Sequence, residues 1–80
     1  MICVVYKSPR MADTYLYIDR QSGLDQLPVD LLSTFGEPEE VLTFRLTPDR
    51  KLAIVAAEDV LSAIDAQGFF LQLPPPSGEQ

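Results

Sequence analysis

The chain has no histidine and no tryptophan, a single cysteine, and six cations against twelve acids in 80 residues. Each shortage narrows the function. Without histidine, the commonest general base and the commonest metal ligand are both missing. Cys3 has no partner for an internal disulfide and, with no histidine, cannot anchor a zinc site of the usual composition. No stoichiometric transition metal and no cofactor is expected. Gly23, Gly36, Gly68 and Gly78 lie too far apart for a phosphate-cradling loop. None of the serines sits in a nucleophile elbow. A formal net charge of −6 opposes phosphate backbones at long range, which disfavours general nucleic-acid binding. No apolar run approaches the ~20 residues that span a bilayer. The opening "MICVVYKSPR" places its charges after a short apolar run, the reverse of a signal peptide. The expected location is the cytoplasm, with no membrane role.

What is present is the composition of a small folded domain. Hydrophobic residues make up 46%, too many for a disordered chain. A chain of this length buries roughly 60 to 65% of its unfolded surface and folds with little to spare. It reads as one domain over 1–76, followed by a frayed tail over 77–80.

"ICVVYK" (Ile2–Lys7) and "TYLYID" (Thr14–Asp19) are β-branched and aromatic, and predict a hairpin with a loop of about six residues. Alternation sets Ile2, Val4 and Tyr6 against Cys3, Val5 and Lys7, and Leu16 and Ile18 against Tyr15 and Tyr17. Both faces of the hairpin are substantially apolar. Something must cover the second: helices, the C-terminal tail or another subunit.

"LPVDLLSTFGEP" carries helix punctuation over Pro28–Phe35. Proline suits the first turn, Asp30 the positive end of the dipole and Gly36 the cap, and Pro38 prevents continuation. "EEVLTFRL" (Glu39–Leu46) reads as a strand, "TPDR" as a turn, and "KLAIV" as a short strand closing a hairpin. A second helix is expected over 57–67, with Glu58 and Asp59 in its first turn and Gly68 just past its end. "FFLQL" (Phe69–Leu73) is the last strand, and Pro74, Pro75 and Pro76 end it, because proline cannot donate to a ladder.

The fold class is therefore α/β of the α+β kind. A small, mostly antiparallel sheet of three to five strands carries two main helices, in a sandwich-like arrangement. The order is strand–strand–helix–strand–(strand)–helix–strand. Leu31, Phe35, Leu61 and Ile64 should be buried where the helices meet the sheet, and Phe69 and Leu71 within it.

Two constellations could bind a partner. The first is Tyr6, Tyr15 and Tyr17 with Lys7 and Arg10 near them in sequence. Aromatics beside cations can stack single-stranded bases, but tyrosines also cover a sheet face with their hydroxyls at its rim, and the second reading is favoured. The other is "LQLPPP", from Gln72 through Pro74, Pro75 and Pro76. It can dock on aromatic side chains, although the PxxP spacing is not met. Strand termination is its favoured role, with the prolines lying over the hairpin tyrosines. The adjacent acids Glu39–Glu40 and Glu58–Asp59 read as solvated charge. No catalytic set emerges from these residues. A non-enzymatic module with an unknown protein partner is the leading reading. An RNA-processing protein, or a weak metal-dependent ribonuclease using clustered Asp and Glu, is the alternative.

The blocks "ICVVYKS", "TYLYID", "LPVDLLSTFGEP" and "QGFFLQLPPP" occur in the order found in the YcgL domain family, which the chain resembles from about Met1 to Pro76. These are small bacterial proteins, mainly gammaproteobacterial. The resemblance implies a compact α/β sandwich and brings no established activity, cofactor or catalytic residues. In several bacteria such proteins are encoded beside a ribonuclease D gene, which points toward RNA metabolism or a role accessory to that enzyme. Some members extend past the prolines, and no role of such an extension is expected here.

Overall fold

The computed structural model describes residues 1–52 and 55–74. β1 (Ile2–Lys7) pairs with β2 (Tyr15–Asp19) in the expected hairpin. α1 (Val29–Phe35) follows, then β3 (Glu39–Arg45), α2 (Ala57–Gln67) and β4 (Phe70–Gln72). The sheet is antiparallel throughout in the order β3-β1-β2-β4, so β1 and β2 are central.

The strand alternation holds. Cys3, Val5, Tyr15, Tyr17 and Phe70 pack with Ala57, Val60 and Ile64 of α2 on one face. Val4, Tyr6, Leu16, Ile18, Phe69 and Leu71 pack with Leu31, Leu32 and Phe35 of α1 on the other. Of the three possible covers for the second face, the helices supply it. Neither helix has a side-chain N-cap; packing against the sheet holds them, as it must for segments this short.

Several expectations are corrected. α1 begins at Val29, with the extended Pro28 as its cap and not its first residue. Leu31 and Leu61 are half-buried, whereas Phe35 and Ile64 are buried as expected. Buried Val60 joins Ala57 and Ile64 on one stripe of α2, and Leu61 lies at its margin. The last strand is three residues long, because Phe69 still belongs to the exit from α2 and Leu73 is exposed. Phe69 and Leu71 are half-buried, and Gln72 is the buried residue of β4. Lys51, Leu52 and Val55 form no strand, and the other residues of "KLAIV" lie outside the described ones.

The β1–β2 loop is pinned to the end of α1. Ser8 Oγ donates to the Phe35 carbonyl and accepts from the Arg10 and Met11 amides at 3.1 and 2.9 Å. The Arg10 guanidinium donates to the Ser33 carbonyl at 3.1 Å. Gly36 sits beneath this clamp with φ 87° and ψ −169°, a region closed to side chains. A Cβ there would lie 3.0 Å from carbons of both Pro9 and Arg10. Gly36→Ala should therefore cost ~1–3 kcal/mol, read from the urea midpoint. An unchanged midpoint would show that loop and helix end yield freely.

Candidate functional cleft beside the third strand

β3 is the exposed member of the sheet. Of its seven residues, only Phe44 joins a core cluster among the described residues. Val41 is 49% exposed and Leu42 52%, which is unusual for large apolar side chains on a strand. A bulge between Tyr6 and Val5 of β1 shifts the register, so that Tyr6 faces Glu40 and Val5 faces Leu42. The extra residue is Val41, and the consecutive Val41–Leu42 pair breaks the alternation.

On the α2 face, a cleft of about 530 Å³ opens beside β3. Val5, Phe44 and Leu52 form its floor, Val41 and Leu42 one wall, Tyr15, Tyr17 and Gln72 the other, and Arg50 and Lys51 the rim. The turn after β3 places the cations. Thr47 Oγ1 donates to Asp49 Oδ1 at 2.6 Å, and the Arg50 amide donates to the Thr47 carbonyl at 3.0 Å. Arg50 is thereby held with its guanidinium carbon 4.7 Å from the centre of the Phe44 ring, a cation–π contact. The Thr47 hydroxyl holds the Asp49 carboxyl below its usual range.

The opposite wall is built across β2 and β4. Tyr15 faces Gln72 and Tyr17 faces Phe70. The Tyr17 and Phe70 rings meet edge-to-face, 5.7 Å between centres at 78°. The Tyr17 hydroxyl donates to Gln72 Oε1 at 2.7 Å, which satisfies a buried amide oxygen. Burial is the main cause raising the Tyr17 hydroxyl above its ordinary pKa, followed by Cys3 and Tyr15. Burial likewise pushes the Cys3 thiol up to about 11, so at neutral pH it is a protonated core side chain and no nucleophile.

The structure gathers some of the residues singled out by sequence and scatters others. Tyr15, Tyr17 and Gln72 share the cleft. Tyr6 lies on the opposite face, packed in the α1 cluster. Lys7 is exposed outside the cleft, 3.8 Å from Glu39. Arg10 is committed to Ser33. Pro74 is exposed, whereas Pro75 and Pro76, and with them the expected packing of the prolines on tyrosines, lie outside the described residues. Arg50, Lys51, Phe44, Val41 and Leu42 are the cleft residues that sequence reasoning left unassigned. The adjacent Arg50–Lys51 pair, the one clustering of cations in the chain, was the available signal. Among the described residues, no three acidic or cysteine side chains converge to hold a metal ion, and no helix is long and apolar enough to cross a membrane.

Comparison with known proteins gives a consistent answer. A family model described as YcgL domain matches residues 3–75. A YcgL domain-containing protein of Chromohalobacter salexigens is 50% identical over 74 residues, covering 92% of this chain and 77% of that one. One from Aeromonas salmonicida is 46% identical over 76 residues, covering 95% and 83%. One from Pseudomonas aeruginosa is 49% identical over 74 residues, covering 92% and 76%.

Proposed function

The chain belongs to the YcgL domain family, and from that premise we propose that it is a non-enzymatic interaction module of the bacterial cytoplasm, with the cleft beside β3 as its binding surface. One observation carries this reading. The protein has twice as many acids as cations, yet the cleft is lined by two cations and no acid among the described residues. Arg50 and Lys51 stand over an apolar floor beside two exposed aliphatic side chains. That combination complements a partner surface that is apolar and anionic.

A second reading draws on the same cations. Arg50 and Lys51 share the cleft with Tyr15 and Tyr17, the residue types that take a phosphate and its base. On this reading the protein serves RNA processing, as an RNA-binding accessory. Against it, Arg50 already covers one face of Phe44, and Phe70 and Gln72 already engage Tyr17. A metal-dependent ribonuclease finds no ligand set among the described residues.

Affinity capture from the native cytoplasm separates these readings. The wild-type chain and the Arg50→Glu/Lys51→Glu double variant are compared, each with and without nuclease. A protein retained by the wild type, lost by the variant and indifferent to nuclease is the expected result. Partners that vanish on nuclease treatment would establish the RNA reading, and equal capture by both chains would remove the cleft from consideration.

A further inference from the structure

We infer that the partner binds as an added β-strand along the open edge of β3, and that it is an extended protein segment whose acidic residues precede its apolar ones. This rests on the reading of the cleft as the binding surface and specifies how the surface is used.

In an antiparallel pair each residue turns its N–H and C=O to the same side, and successive residues alternate. The Arg20 amide donates to the Ile2 carbonyl at 2.9 Å, so Ile2 faces β2. Cys3 and Val5 therefore face β3, where they oppose Phe44 and Leu42. It follows that Thr43 and Arg45 turn their backbone groups outward, away from β1. The Arg50 guanidinium reaches the outward Arg45 carbonyl at 3.4 Å. Among the described residues, the Thr43 N–H and C=O and the Arg45 N–H have no backbone partner. These three groups can form a ladder with one further strand.

Side chains then specify that strand. Leu42 and Phe44 share the α2 face, so every second residue of a docked strand lies over the cleft. Opposite Leu42, that position is apolar. Toward Arg50 and Lys51 it is acidic. At the other end, Glu40 disfavours a second acid and Glu39 already holds Lys7, so no cation there draws the acids and the polarity is fixed. The Val41 bulge interrupts the edge, so pairing is confined to the Leu42–Arg45 half. A strand continuing the antiparallel sheet starts at the Arg45 end, which places its acids first. A polynucleotide has no N–H row to match Thr43, and the exposed wall on β3 itself is aliphatic, which favours a peptide.

The test uses 15N-labelled full-length chain and a defined probe, the peptide Glu-Thr-Glu-Thr-Val-Thr-Val-Thr. Its lysine-for-glutamate counterpart and oligouridylate are the comparisons. The acidic peptide should shift the Thr43 and Arg45 amides and slow their hydrogen exchange. Arg50→Glu/Lys51→Glu should weaken it by about tenfold or more. Thr43→Pro removes an outward donor without touching the β1 ladder, so it should abolish binding while the chain still melts cooperatively. If that variant does not fold, a probe N-methylated on the face toward β3 asks the same question and should not bind. Shifts at Val5 and Leu42 with unchanged exchange at Thr43 and Arg45 would overturn strand addition and leave the binding cleft standing. Tighter binding of the lysine peptide would overturn the charge assignment. Tighter binding of oligouridylate would overturn the inference in favour of RNA. No shift with any probe would end both the inference and the assignment of the cleft.

Discussion

Phe35→Ala should lower the unfolding free energy by ~3–5 kcal/mol, the range for deleting a buried aromatic side chain. Phe35 is the only fully buried residue of α1 and packs with Val4, Leu16, Ile18 and Leu27 beneath the α1 face. Its backbone carbonyl also takes the Ser8 hydroxyl, so the cavity would open beside the clamp that holds the β1–β2 loop. Domains of this kind are stable by only ~5–15 kcal/mol, so the variant should sit near the edge of folding at ordinary temperature. Equilibrium urea unfolding followed by circular dichroism reads the effect. A loss below ~0.5 kcal/mol would place Phe35 among surface positions and contradict the α1 layer.

The largest loss is expected from ending the chain after Gly68. β4 is three residues long, but it supplies both sides of the sheet at once. Phe69 and Leu71 pack under α1, Phe70 meets Tyr17 edge-to-face, and Gln72 accepts the Tyr17 hydroxyl. Without β4, β2 becomes an edge strand with half-covered aromatics, and α2 loses part of its support. The truncated chain should show no cooperative thermal transition and no slowly exchanging amides in β1. A cooperative melt would mean that β4 is an appendage and that the core closes without it.

The order of elements was legible because punctuation and composition agree: Pro28 and Gly36 bracket α1, Gly68 closes α2, and the hairpin strands are β-branched and aromatic. Phase was less legible. Val60 and Leu61 are both apolar and adjacent, and a helix face one residue wider or narrower exchanges them. Only the position of the sheet beneath α2 makes Val60 buried and Leu61 marginal. Gln72 enters the sequence reading as part of the "LQLPPP" docking segment. Its burial depends on Tyr17, 55 residues earlier, and no local signal carries such a contact. The cleft was legible only in fragments. Its two walls come from strands separated by β1, because β3 lies on the far side of β1 from β2. A chain-order reading puts Tyr17 and Phe44 in different places; the crossover puts them around one hollow. The cations at its rim were visible as a pair, but their neighbours were not. "EEVLTFRL" reads as a strand, but nothing in it marks the bulge at Val41 or the exposure of Leu42.

The non-sequential sheet also governs when the molecule can assemble. β1 is made first, yet one of its neighbours arrives some forty residues later as β3, and β2 waits for β4 at the end of the described chain. The early hairpin can form while synthesis proceeds, but its outer edges close only after β3 and β4 have left the ribosome. Closure of such long loops costs entropy before any contact repays it, which slows folding relative to helical domains of equal size. Throughout that interval, Cys3, Val4, Val5, Leu16 and Ile18, the least accessible side chains of the finished sheet, lie on an uncovered two-stranded ribbon. For a nascent chain of this topology, that ribbon is the segment most in need of chaperone shelter.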